Sequence, residues 1–366
     1  MAKSSGAPHL SRRALNRALL ARQMLLERQR MTALALVEHL VGMQAQVPSD
    51  PYFALWSRLK DFVPGELEGL IEGRRLVRLA AMRGTLHLLT AADALTLRTL
   101  VQPTITRLLA GTPFGRETKG LDLAAAMATA RTAVDETPMT LAALRKVIAA
   151  EHPALPAHAV SYVFHYTTAL IQVPPRGLWG RSGAPKVTTA EAWLGKRRTG
   201  KPAADKIVLR YLAAFGPASV MDAQAWSGLK QLRPVFEALR PRLAAFGDED
   251  GHELFDLADA PRPEEDTPAP VRFLPTYDNV TLGFADRRRI VPERMPAAPN
   301  AWAKTFLVDG FVAGYWQLAE GKKTATLTLM PLAALKRRAK NDLAEEGQRL
   351  LVFAAPDAKG TISFAS

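Results

Sequence analysis

The sequence predicts a mainly α chain with β-hairpins, of the α+β class, built as tandem helix–turn–helix units each followed by a short strand pair. Three observations predict it. Helix-start signals recur along the first two thirds of the chain. Short β-friendly runs interrupted by glycine follow them. Beyond about residue 260 two alternating runs appear, TFLVDGFVAGYWQL and TATLTLMPL, which suit a small β-rich domain.

In the first unit, Leu10 to Glu27 has helical periodicity and Thr32 is placed to cap a second helix running to about Met43. Ser49-Asp50-Pro51 starts a third helix, with proline in its first turn, and a fourth follows near Glu66–Gly73. The run RRLVRLAAMRGTLHLLT reads as a hairpin with Arg83-Gly84 at its tip. Thr90 to Asp93 then opens another helix. In the second unit Thr140 caps LAALRKVIAA, HAVSYVFHYTTALIQ is a helix, and GLWGRSGAPKVTTAEAWL suits a hairpin. The third unit is the clearest. Its first helix stops at Gly216-Pro217, Ser219 to Asp222 forms a capping box, Ser227-Gly228 is the turn, and RLAAF and HELFDL flank GDEDG. A helix–turn–helix closed by a hairpin is a winged helix, a unit suited to duplex DNA. The Pro- and acid-rich stretch ADAPRPEEDTPAP separates it from the C-terminal domain, which ends with a helix near Leu332–Gln348. The expected units are 1–95, 96–200, 201–260 and 261–366.

Composition narrows the partners. The net charge of +13 favours a polyanion, nucleic acid first, although high arginine usage alone can produce it. No cysteine is present, so disulfides and thiolate metal sites are excluded and a reducing cytoplasm is expected. The histidines show neither HxxxH nor HExxH spacing, and neither a metal nor a cofactor is expected. No apolar run approaches the roughly 18 residues of a membrane span.

The hairpins differ in charge. Arg74, Arg75, Arg78 and Arg83 surround the first, and Arg176, Arg181 and Lys186 the second, whereas the third carries Asp248, Glu249, Asp250, Glu253 and Asp256. The first is expected to abut DNA, or else to be a solvated basic face. The acidic one is expected to stay away from phosphates. Thr85 and His87 share one strand face, which allows His87 to line a cleft or to be a core residue. Tyr277, Asp278 and Arg287 lie in two segments dense in functional side chains, readable as a turn plus a basic strand or as a loop lining the same cleft.

The stretch VGMQAQVPSD places Gln44 and Gln46 in an apolar context. In a helix, side chains two apart diverge by about 200°. In extended chain they share a side, and Pro48 disfavours helix at Val47. The two amides are therefore expected to project together, either gripping a water or base edge or bridging helix ends.

The residues GMQAQVPSDPYFALWSRL, RGTLHLLTAADAL, YLAAFGPASVMDAQAWSGL and LPTYDNVTLGFADRRRI together resemble the bacterial AlkZ/YcaQ-type DNA glycosylases, in order and over nearly the whole chain. The resemblance implies tandem winged helices and a catalytic motif of Gln, an apolar residue, then Gln or Asp. Gln44-Ala45-Gln46 fits the AlkZ branch, associated with bulky N7-alkylguanine adducts and interstrand crosslinks. The family also sets a β-hairpin against DNA, for which the Arg83 to His87 region is the candidate. The resulting expectation is a monomeric, nucleoid-associated glycosylase acting on double-stranded DNA with alkylated bases. Gln44 and Gln46 would be catalytic, and Arg74, Arg75, Arg78, Arg83, Thr85, His87, Tyr277, Asp278 and Arg287 would contact DNA. The rival is a non-enzymatic winged-helix transcription regulator.

Overall fold

A computed structural model of the chain describes residues 8–195, 203–300 and 303–365. Helix α1 (Arg12–Arg22) precedes the first unit, which contains α2 (Ala33–His39), β1 (Met43–Gln44), α3 (Asp50–Arg58), α4 (Pro64–Glu72), β2 (Leu76–Ala80) and β3 (Leu86–Thr90). Helices α5 (Ala91–Ala110) and α6 (Pro113–Glu117) lead to the second unit. It comprises α7 (Ala124–Glu136), α8 (Leu141–Glu151), α9 (Ala157–Thr167), β4 (Leu170–Gln172) and β5 (Val187–Thr189), followed by α10 (Ala190–Leu194). The third is α11 (Ala204–Phe215), α12 (Val220–Ser227), α13 (Arg233–Leu239), β6 (Leu243–Gly247) and β7 (Glu253–Leu257). The C-terminal domain holds β8 (Arg272–Leu274), α14 (Asn279–Leu282), β9 (Lys304–Val308), β10 (Phe311–Glu320), β11 (Thr324–Pro331), α15 (Arg337–Ala354) and β12 (Lys359–Phe364).

All three units follow one plan: helix, a short extended segment, two helices, then a hairpin whose second strand pairs with that segment. In the first, Met43 and Gln44 pair with Leu88 and His87. In the second, Met139 bridges Val187, and in the third Ala218 bridges Phe255. The segment that carries Gln44 thus corresponds to the segments around Met139 and Ala218 in the other units. Local chemistry sets the helix starts. Thr32, Thr90 and Thr140 each accept a backbone N–H from three residues on. Ser219 and Asp222 form a reciprocal capping box, and Gly228 at φ 76 stops α12.

Several boundaries differ from the sequence reading. The helix expected over Leu10 to Glu27 ends at Arg22, with Met24 at φ 55, and belongs outside the first unit. It docks instead through Arg22 on Asp256 and through Asn16 on the Gly310 carbonyl. Helix α2 stops at His39, because Val41 (φ 56) and Gly42 (φ 94) turn the chain into β1. The boundary expected at 95/96 falls inside α5. The first two hairpins share one sheet of order β1-β3-β2-β4-β5, with Arg78 opposite Gln172. The boundary at 200/201 lies outside the described residues. The glycine-rich segment expected to form the second hairpin is mostly the loop joining β4 to β5.

The C-terminal sheet, β12-β11-β10-β9-β8, carries α15, which starts later than expected, at Arg337. Asp309 (φ 49) and Gly310 (φ 84) form the tight turn between β9 and β10. One core runs through the first and third units and the C-terminal domain, while α7, α8 and α9 close over a smaller one. Among the described residues no helix is long and apolar enough to cross a membrane.

Candidate active site

Strand β1 lies at the edge of the first sheet. The Ala45 N–H extends its ladder, donating to the Leu86 carbonyl at 2.7 Å. The ladder thus carries the chain through Gln44 to Ala45, and the chain bends at Gln46 and Val47, so the extended geometry expected of both glutamines holds for Gln44 and ends before Gln46. Gly42 fixes the entry, since a Cβ there would strike the Leu89 side chain and the Leu88 carbonyl. Gln44 is buried and Gln46 exposed. The Gln44 Oε1 accepts from Arg83 Nη2 at 3.0 Å, and the Gln46 Oε1 accepts from the Leu86 N–H at 3.3 Å.

Two arginines expected on DNA turn inward instead. Arg78 is buried; its Nη2 donates to the Ala45 carbonyl at 2.8 Å and its Nη1 to Gln172 Oε1 at 2.6 Å. Burial and the neighbouring Arg176 charge push it down to about 10. Arg83 donates to Gln44 and to the Trp226 carbonyl, and burial pushes it down to about 10. Strand alternation explains Arg78. For Arg83, the hairpin tip packs on the Gly228 turn of the third unit, whose missing side chain leaves room for the Arg83 backbone. Among the described residues no carboxylate hydrogen-bonds either arginine or either glutamine.

His87, directly opposite Gln44, is buried, and its Nδ1 lies 2.9 Å from the Thr85 carbonyl. Burial, then the Arg83 charge, pushes it down to about 3, so a neutral core imidazole replaces the expected phosphate or sugar contact. Because the unfolded chain takes this proton near pH 6.5 and the fold does not, the stabilisation is present above pH 6.5 and is lost toward pH 3. Urea midpoints of the wild type should therefore fall relative to His87→Gln between pH 7.5 and 5. A difference that is constant with pH would exclude the neutral imidazole. The Thr85 hydroxyl is tied to the Met82 carbonyl at 3.1 Å.

Arg74 and Arg75 are exposed but sit at the hairpin base, beside the Leu76–Thr90 pair. That is three residue pairs from Gln44, roughly 10 Å along the strand. Arg74 stacks on Trp193 at 4.2 Å and donates to its carbonyl. Arg75 keeps an exposed side chain. The Tyr277 to Asn279 loop does reach Gln44: with Met43 and Gln44, Tyr277, Asp278 and Asn279 line a crevice too narrow to admit a base. Asn279 Nδ2 donates to the Gly42 carbonyl at 3.0 Å. Within that loop, however, Asp278 is no DNA ligand; it is buried in a two-pronged ion pair with Arg58, at 2.7 and 2.9 Å. Arg287 is exposed, on a separate surface segment.

The sequence reading missed Asp50, six residues after Gln44. It is buried, accepts the Tyr277 N–H at 3.1 Å, and is pushed up to about 6 by burial. Its place after Ser49 and before Pro51 signalled only a helix start. The acidic wing lines a separate cavity of about 520 Å³. There Asp250 pairs with Arg288, and Glu249 accepts the Arg12 N–H at 2.7 Å. Asp248, Asp250 and His252 bring donor atoms within 4.8 Å, but ion pairs and turn hydrogen bonds account for them.

Three tandem winged helices are the class of fold that meets nucleic acid, and here the first presents Gln44 on an edge strand, held by Arg83, with the exposed Gln46 just beyond it. The family model described as DNA glycosylase AlkZ-like matches residues 37–353, and the chain belongs to that family of DNA glycosylases. A curated protein of Streptomyces sahachiroi, named an interstrand DNA cross-link repair glycosylase, is 26% identical over 345 residues, covering 87% of this chain and 92% of that one. The solved structure of Streptomyces sahachiroi DNA glycosylase AlkZ shares the fold, with a TM-score of 0.72 at 20% identity, covering 97% of this chain and all of the other.

Proposed function

We propose that this DNA glycosylase hydrolyses the N-glycosidic bond of cationic N7-alkylguanines in double-stranded DNA, acting as a monomer, with Gln44 and Gln46 positioning the water. The observation that carries the reading is Gln44 on β1 with Gln46 just beyond it and, among the described residues, no carboxylate hydrogen-bonded to either. Ordinary glycosidases need one acid for the leaving group and one carboxylate for the nucleophile. An N7-alkylated guanine is already cationic. When its bond to C1′ breaks, the electron pair neutralises it and no proton need be supplied. Water adds to the oxocarbenium-like carbon and releases its proton to solvent. It requires placement more than activation, which amides provide. Undamaged guanine lacks this leaving-group quality and survives.

The narrow crevice behind Gln44 and the exposure of Gln46 support chemistry at an open surface, without a closed pocket for a flipped base. An open site suits a base tethered to the opposite strand, and the name of the Streptomyces relative supports extending the activity to interstrand crosslinks. The regulator reading loses ground at one of the helices placed to enter the major groove. In the first unit that helix, α4, carries Glu66, Glu68 and Glu72.

The test is incubation with duplexes carrying N7-methylguanine or an N7-linked crosslink, followed by alkaline cleavage. Alkali-labile breaks at both lesions, and none in undamaged duplex, are expected; intact lesions would reject the reading. Binding is expected to be largely electrostatic, log K falling by about 0.9 per phosphate neutralised for each unit of log salt. A preference for one operator that persists at high salt would restore the regulator.

A further inference from the structure

The guanidinium of Arg83 makes contacts that water positioning alone does not explain. Arg83 sits at the β2–β3 tip at φ 56, a conformation uncommon outside glycine. Its side chain bridges two units of the fold. One nitrogen, Nη1, donates to the carbonyl of Trp226, in the last turn of α12, where helical carbonyls lack partners within the helix. The other, Nη2, donates to Gln44 Oε1 at 3.0 Å. Guanidinium has donors and no acceptor, so it can face only the oxygen end of an amide. That contact therefore fixes which way round Gln44 lies.

We propose that Arg83 is a positioning residue for the glycosylase reaction, locking the Gln44 amide with its oxygen inward and its NH₂ toward the reacting centre. The proposal rests on the reading of Gln44 as a water-positioning group. Gln44 then meets the water as a donor to its oxygen. Gln46, whose oxygen keeps a second lone pair beside its 3.3 Å bond from Leu86, accepts one of the water's protons. The arrangement also ties the geometry of β1 to the third winged helix, because Trp226 packs with Tyr211 and Phe215 in that unit's core.

The test is a double-mutant cycle in the full-length protein, read by single-turnover excision of N7-methylguanine at saturating enzyme, with DNA affinity and its salt slope measured in parallel. Arg83→Ala is expected to slow excision by about 10- to 100-fold, the scale of a misplaced reacting group, without changing affinity or salt slope. Arg83→Ala/Gln44→Ala should be no slower than Gln44→Ala, as expected when one residue acts through the other. Arg83→Lys, able to hold one acceptor at a time, should recover part of the rate. Gln44→Glu keeps an acceptor for Arg83 and removes the donor, so it should be as slow as Gln44→Ala. If Arg83→Ala does not fold, Arg83→Lys and Arg83→Gln carry the same cycle. Rate losses that multiply in the double variant, or a salt slope reduced by about one phosphate contact, overturn the proposal in favour of a direct DNA contact. A fully active Gln44→Glu overturns the donor assignment. A fully active Gln44→Ala removes the catalytic reading itself, whereas a slow Gln44→Ala beside an unaffected Arg83→Ala removes only the role of Arg83.

Discussion

Gln46→Ala is expected to slow single-turnover release of N7-methylguanine on the order of 10²-fold, a size typical of losing a positioned catalytic group, while DNA affinity stays within twofold. Gln46 is the cleaner probe of the pair. It is exposed, and its side chain makes one bond, a 3.3 Å contact from the Leu86 N–H. Truncating such a residue usually changes stability by less than about 0.5 kcal/mol, so a lost rate reports chemistry. Gln44→Ala should be at least as slow, but it also strips an acceptor from the partly buried Arg83, at a cost of about 1–3 kcal/mol. Its rate must be read beside a melting curve. If both variants excise at the wild-type rate, the water is held elsewhere and the amide pair is structural.

The geometry behind that expectation was legible because it is local. Pro48 argues against helix just before it, and helix α2 does end ahead of the glutamines, with Gln44 paired in β1 and the chain bending at Gln46. The third winged helix was legible for the same reason: its capping box and its turn glycine act within a few residues. The arginines were not. Sequence shows the charge of Arg78 and Arg83 but not the direction of their side chains. Their partners, the Ala45, Trp226 and Arg176 carbonyls and Gln172, come from other segments and carry no opposite charge to betray the pairing. Helix α1 misled likewise. Its periodicity was real, but Arg22 finds Asp256 across more than two hundred residues. The common plan of the three units became visible only through backbone pairing, since the short extended segments around Gln44, Met139 and Ala218 share no side-chain chemistry.

Asp278→Ala is expected to cost stability rather than catalytic chemistry, by roughly 3–5 kcal/mol, the range for removing one partner of a buried ion pair. The Asp278 carboxylate and the Arg58 guanidinium are both buried and joined by two bonds, at 2.7 and 2.9 Å. The same carboxylate caps α14 through the Val280 N–H at 3.0 Å. Among the described residues, the further bonds of Arg58 go to acceptors that carry no charge, the Ala54 carbonyl and Gln23 Oε1. Without Asp278 its charge is uncompensated, and domains are typically stable by only about 5–15 kcal/mol. Asp278→Asn keeps an oxygen for the cap and should fall between the wild type and alanine. Replacing both partners, Arg58→Met with Asp278→Leu, should recover part of the loss, because it removes the stranded charge along with the attraction. Because the pair ties α3 to the loop lining the crevice beside Gln44, the variant should lose activity as its folded fraction falls, with the rate per folded molecule nearly preserved. Urea unfolding followed by the fluorescence of the six tryptophans measures the first quantity, and excision at a temperature below the transition measures the second. An Asp278→Ala protein that unfolds at the wild-type midpoint but excises slowly would return Asp278 to the cleft as a functional residue.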